Sequence, residues 1–150
     1  MIAVDTNILV YAHREDCQWH VSAYACVVEL AEGRTPWAIP WPCIHEFLAI
    51  VTHPRIYSPQ TPLAKAIDQA EAWLESPSLV LLAESEDYWL QLRSILLAGR
   101  VSGAQIHDAG IAALCEQHGI RQLWTADRDF GRFPGLNVRN PLVGQTGHGH

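Results

Sequence analysis

Met1-Ile2-Ala3-Val4-Asp5-Thr6-Asn7 decides how the chain is read. A short apolar run ends on an acid. Two small polar residues follow, and a new apolar period begins at Ile8, Leu9, Tyr11 and Ala12. This is the signature of strand, turn and helix. It sets Asp5 at the carboxyl end of a central, buried strand, where open α/β sheets bind their ligands. The competing reading is a simple cap, because Asp, Thr and Asn all accept from the unpaired N–H groups that open a helix.

Working outward, Cys17 to Ala31 is predicted to be a helix with Val21, Tyr24, Ala25 and Val28 as its inward stripe, closed by Gly33. Trp37-Ala38-Ile39 is a second strand. Pro42 suits the first turn of the helix that follows, through Val51. Thr61 is expected to cap a helix whose stripe is Leu63, Ala66, Ile67, Ala70 and Trp73. Leu79 to Leu82 is a continuous apolar run of the kind buried parallel strands show. A helix opening at Ser85, carrying Tyr88, Trp89, Leu92, Ile95 and Leu96 and ending at Gly99, is next, then one from about Gln105 to His118. Ile120 to Thr125 and Leu136 to Val138 complete the strands, and residues from Gly144 read as a flexible tail. Strands alternating with helices imply one α/β domain over residues 1–143, its parallel sheet covered on both faces.

Composition narrows the class. The chain has 150 residues, 49% of them hydrophobic and 17% charged, enough for one substantial core. No apolar run reaches the roughly 18 residues that span a bilayer. Asp5 and Asn7 interrupt what a signal peptide requires, so a cytoplasmic protein is expected. Cys17, Cys26, Cys43 and Cys115 lack paired spacing and read as free thiols. The formal charge of −6 argues against a simple nucleic-acid coat. Nine of the ten cations are nevertheless arginine, the residue suited to bidentate phosphate contacts, and Arg128, Arg132 and Arg139 cluster near the last acids.

Four acids stand where a surface does not need them. Asp108 heads an apolar stripe with Ile111, Ala112 and Cys115. Glu46 is the one acid of a helix that is apolar apart from His45. Asp127 lies just beyond a strand, as Asp5 does. Asp5, Glu46, Asp108 and Asp127 would therefore meet at one sheet edge, with Glu46 and Asp108 expected near the N-terminal turns of their helices. Two like charges ~5 Å apart repel by roughly 3 kcal/mol at an effective dielectric of 20. Such a group calls for protons or a cation, and oxygen-only ligands select Mg²⁺ or Mn²⁺. Metal-assisted hydrolysis of a phosphodiester is the chemistry that fits. His45 and His107 adjoin the acids but read as packing or surface residues.

Val4-Asp5-Thr6-Asn7, Glu46 in its apolar helix, His107-Asp108-Ala109 and Thr125-Ala126-Asp127-Arg128-Asp129-Phe130, in this order, resemble the PIN-domain nucleases. The likeness is strongest to the VapC toxins of bacterial toxin–antitoxin pairs. It implies a three-layer α/β/α sandwich and an endoribonuclease dependent on Mg²⁺ or Mn²⁺. It also implies a homodimer and a VapB-like antitoxin that blocks the site. By match, Asp5, Glu46, Asp108 and Asp127 are the catalytic and metal-binding acids, with Asp129 an undecided fifth. Thr6, Asn7 and Thr125 take the places that orient carboxylates, and Arg128 and Arg132 are candidates for RNA phosphate contacts.

Three rivals remain at this level. A haloacid-dehalogenase-like phosphatase wants a second Asp where Asn7 stands, and Lys65 is the only lysine. A PIN-like scaffold without catalysis would not need the acids. A PIN-family nuclease acting on DNA differs only in its substrate.

Overall fold

The computed structural model describes residues 1–146. Five strands and seven helices alternate: β1 (Ile2–Val4), α1 (Thr6–His13), α2 (His20–Glu32), β2 (Trp37–Pro40), α3 (Trp41–Val51), α4 (Leu63–Leu74), β3 (Leu79–Leu82), α5 (Tyr88–Gly99), α6 (Gln105–Gln117), β4 (Gln122–Trp124), a 3₁₀ turn (Arg128–Arg132), β5 (Val138–Arg139) and α7 (Pro141–Thr146). The expected tail begins within α7, and residues 147–150 lie outside the described residues.

The sheet is parallel throughout, in the order β3-β2-β1-β4-β5. Helices cover it on both faces as an α/β/α sandwich, α1 packing on α2 and α3, and α5 on α6. From β1 the chain steps outward to β2 and β3, then returns to lay β4 on the other side of β1. The order therefore reverses between β1 and β4, which opens a crevice at their carboxyl ends. Register pairs Val4 with Trp124, so Asp5 and Thr125 come level at that crevice. The Asp5 N–H donates to the Trp124 carbonyl at 2.9 Å, continuing the ladder one step past β1.

The core is continuous across the sheet and includes Trp37, Phe47, Phe130, Phe133, Ile8 and Leu123, each fully buried. Phe47 is wedged edge-on between His13 and Trp73, at ring separations of 5.3 and 4.8 Å. None of the described helices is long and apolar enough to cross a membrane. Cys26, Cys43 and Cys115 are buried and Cys17 is half-buried.

Several expectations need correction. Helix α2 begins at His20 and turns Ala23, Cys26 and Val27 inward, while Val21 is 79% exposed and Tyr24 55%. Its apolar residues support two phases of the same period, and close packing on α1 selects the smaller side chains. Helix α4 buries Ala66, Ala70 and Trp73 but leaves Leu63 and Ile67 in solvent. Thr61 does not cap it; its hydroxyl accepts from Arg14 and bonds the His13 ring instead. β3 lies at the sheet edge with Val80 exposed, so a continuous apolar run here marks an edge strand. Helix α5 starts at Tyr88, since Asp87 adopts a left-handed φ of 67° that blocks an earlier start, and it leaves Trp89 exposed. β4 is shorter than predicted, and β5 lies at Val138–Arg139 because Leu136 packs into the core before the strand forms.

Candidate active site

The crevice between β1 and β4 gathers the acids. Asp5 caps α1: its Oδ1 accepts from the Thr6 N–H at 2.8 Å. The cap and a place beside the other acids thus coincide in one side chain. Asp5 is only 4% exposed, and among the described residues no cation pairs with it. Its charge is met by hydrogen bonds instead: Oδ2 accepts from the Thr125 hydroxyl at 2.7 Å and from the Asn7 amide at 3.4 Å, and the Cys43 thiol lies 3.5 Å from Oδ1. Burial still outweighs these donors and raises the Asp5 carboxyl above its ordinary value. Burial likewise pushes the Cys43 thiol well upward, so it remains an uncharged donor.

Thr125 and Asn7 couple the two strand ends. The Thr125 hydroxyl donates to Asp5 and accepts from the Asp127 N–H at 3.0 Å and from the Asn7 amide at 3.1 Å. The Asn7 carbonyl accepts from the Ala126 N–H at 3.1 Å. Asp127 in turn caps the 3₁₀ turn, accepting from the Asp129 N–H at 2.9 Å. Thr6 differs from its two neighbours. It supplies its N–H to Asp5, and its side chain hydrogen-bonds the Cys43 thiol.

Asp108 enters from α6, where it sits in the first turn above buried Ile111, Ala112 and Cys115. One oxygen each from Asp108, Asp127 and Asp129 lies within 4.8 Å of the others. Asp108 is pushed up to about 6, first by burial and then by the charges of Asp127, Asp5, Glu46 and Asp129. The other four acids therefore all act on Asp108, and the tightest group recruits Asp129. Glu46 stands at the rim. It is exposed and belongs to the second turn of α3, not the first, because α3 already begins at Trp41. His45 and His107 are exposed and outside the carboxylate group; His45 faces Trp41 at 6.2 Å.

Arg128 and Arg132 are both exposed on the 3₁₀ turn. Arg132 donates to Gln105 Oε1 at 3.0 Å, tying this turn to the start of the helix that carries Asp108. Sequence reasoning missed that tie and the thiol of Cys43. Neither leaves a local signal, since their partners lie 27 and 38 residues away.

Three carboxylates at such spacing could hold a hard divalent ion. The raised Asp108 carboxyl is the electrostatic counterpart of that arrangement.

Comparison with known proteins shows what the chain and its fold resemble. The chain is 34% identical over 146 residues to the ribonuclease VapC43 of Mycobacterium tuberculosis, covering 97% of this chain and 99% of the relative. It is 28% identical over 140 residues to ribonuclease VapC48 of the same organism, covering 93% and 97%. Its fold matches VapC20 of M. tuberculosis, described as a sarcin–ricin loop cleaving toxin, with a TM-score of 0.68 at 18% identity over 93% of this chain and 99% of that one. It also matches VapBC2 of Rickettsia felis, solved on a promoter DNA fragment, at 0.67 and 21% over 93% and 98%. The family model described as PIN domain matches residues 2–136, and the chain belongs to the PIN-domain family.

Proposed function

We propose that this protein is a divalent-metal-dependent endoribonuclease and the toxin of a toxin–antitoxin pair. The observation that carries the reading is the convergence of Asp108, Asp127 and Asp129 beside buried Asp5, at the crevice where the strand order reverses. Near full-length similarity to proteins named as ribonucleases supports RNA as the substrate. Likeness of fold to VapC20, described as a toxin, and to the structure described as VapBC2 supports an inhibitory protein partner of the VapB type. A homodimer and a cytoplasmic location complete the proposal.

Asp108, Asp127 and Asp129 would hold Mg²⁺ or Mn²⁺, with Asp5 behind them and Glu46 at the rim. The ion supplies an activated water and neutralises charge on the phosphoryl oxygens. The chain's own residues set the stage. Thr125 and Asn7 fix the Asp5 carboxylate, and Thr125 also fixes the backbone of Asp127. Orienting partners of this kind are commonly worth 10–100-fold in metal affinity or activity. Arg128 and Arg132 offer exposed guanidinium groups for RNA phosphates, in a chain otherwise too acidic to attract them.

Cleavage of total RNA in Mg²⁺ or Mn²⁺, beside EDTA and Asp108→Asn controls, tests the proposal. Wild-type cleavage lost in both controls is expected, with 5′-phosphate and 3′-hydroxyl ends. Products ending in 2′,3′-cyclic phosphate would sink it, because the RNA's own 2′-hydroxyl would then be the nucleophile.

A further inference from the structure

A cavity of about 630 Å³ opens between α3, α5 and α6, directly beside Glu46. The hydrolytic chemistry does not use it. Its size lies within the range of small-molecule sites. The walls are mostly apolar, with Leu92, Ile106 and Tyr88 beside His107 and Glu84. Ile106, two residues before Asp108, is a large apolar side chain 44% exposed.

Gly110 forms part of the lining from the middle of α6, where glycine is a poor helix residue. Its place follows from close approach. A Cβ there would stand 3.2 Å from the Tyr88 hydroxyl, which donates to the Gly110 carbonyl at 3.5 Å. The segment bearing Glu84 is likewise held. The His118 ring bonds the Ala83 carbonyl at 2.9 Å, and the Gln117 amide donates to the Glu86 carbonyl at 2.8 Å.

Glu46 and Glu84 both line the cavity, so a phosphate is repelled from it. What fits beside two carboxylates and apolar walls is a flat, uncharged group that donates hydrogen bonds. Glu46, whose charge acts on Asp108, and His107, the chain neighbour of Asp108, both line the cavity, so it adjoins the carboxylate group. Guanine alone among the four RNA bases presents two adjacent donors on its Watson–Crick edge, N1–H and the 2-amino group, which match the two oxygens of one carboxylate. An adjoining cavity of about 440 Å³ shares Pro42, His45 and Glu84 and carries the Trp41–His45 pair, a platform for a second base.

We propose that the cavity between α3, α5 and α6 is a nucleobase subsite taking guanine next to the scissile phosphate, with Glu84 reading its Watson–Crick edge. The inference rests on the ribonuclease reading, and its test is kept separate from cleavage. The full-length protein is titrated with guanosine, inosine, adenosine, cytidine and uridine while the Leu92 and Ile106 methyl signals are followed by NMR. Guanosine is expected to shift these signals. Inosine, which lacks the 2-amino group, should bind at least about tenfold more weakly, as for a lost hydrogen bond to a charged group. Glu84→Gln should bring the guanosine-to-inosine ratio toward one, and Gly110→Ala, by displacing Tyr88, should weaken both. Equal binding of all five nucleosides, no shift with any of them, or an unchanged ratio in Glu84→Gln overturns the proposal. No shift is also the result if a partner's protein side chain is the natural occupant. A chain that cuts RNA yet binds nucleosides without preference overturns the subsite alone.

Discussion

The Thr125 hydroxyl donates to Asp5 Oδ2 at 2.7 Å across the β1–β4 crevice, joining residues 120 positions apart. The same oxygen accepts from the Asp127 N–H, so one hydroxyl orients the acids that follow two different strands. Thr125→Val keeps the shape and removes the bond. Cleavage is expected to fall roughly 10–100-fold, with stability lower by about 1–3 kcal/mol because a buried carboxylate loses a donor. The acid limb of the pH–rate profile should move to higher pH, since this bond holds the Asp5 carboxyl down. Thr125→Ser should restore most of both. A Val variant with wild-type rates and profile would remove Thr125 from the site.

Asp108 sits at the centre of the acid group, and Asp108→Asn should abolish metal-dependent cleavage while leaving the fold intact. Thermal unfolding gives a second reading. A ligand at 100 times its dissociation constant stabilises by about 2.7 kcal/mol. Addition of Mn²⁺ at saturating concentration should raise the wild-type unfolding temperature and leave that of Asp108→Asn nearly unmoved. Equal shifts in both proteins would place the ion elsewhere.

The crowded carboxyls make the metal-free protein sensitive to pH in an unusual direction. Asp108 rises from 3.8 to about 6 on folding, so the native state holds a proton that the unfolded chain releases. Its contribution to stability is present below about pH 4 and is lost as pH rises through 6. The full shift corresponds to about 3 kcal/mol. Because Asp108 is half-buried, screening by solvent reduces this to about 1 kcal/mol. In EDTA, Asp108→Asn should therefore match wild type near pH 4 and exceed it by about 1 kcal/mol at pH 7. Denaturant unfolding at the two pH values measures the difference, and a wild-type advantage at pH 7 would contradict the electrostatic account.

Arg128 and Arg132 occupy the exposed turn beyond β4. Arg128→Ala and Arg132→Ala should weaken RNA binding alike for all sequences, each lowering the slope of log affinity against log salt by about one. Arg132→Ala also breaks the bond to Gln105. A small additional loss in the catalytic step is expected there, because Gln105 opens the helix bearing Asp108. Salt titrations of binding by the two variants separate these effects.

Sequence alone determined the alternation of strands and helices, because apolar periodicity is written locally and each element buries one face. It also determined that Asp5 ends a central strand and that Asp108 faces inward, since an acid heading an apolar stripe has nowhere else to point. Which phase of an ambiguous stripe turned inward was decided by packing: α2 presents Ala23 and Val27 to α1 and leaves Val21 and Tyr24 outside. Only the tertiary structure brought Asp129 into the tightest carboxylate group, set Glu46 at its rim, and hung Asp5 and Asp127 on the single hydroxyl of Thr125. Those relations depend on the order of strands in the sheet and on the register of β1 against β4. Neither is carried by residues that are neighbours in the chain.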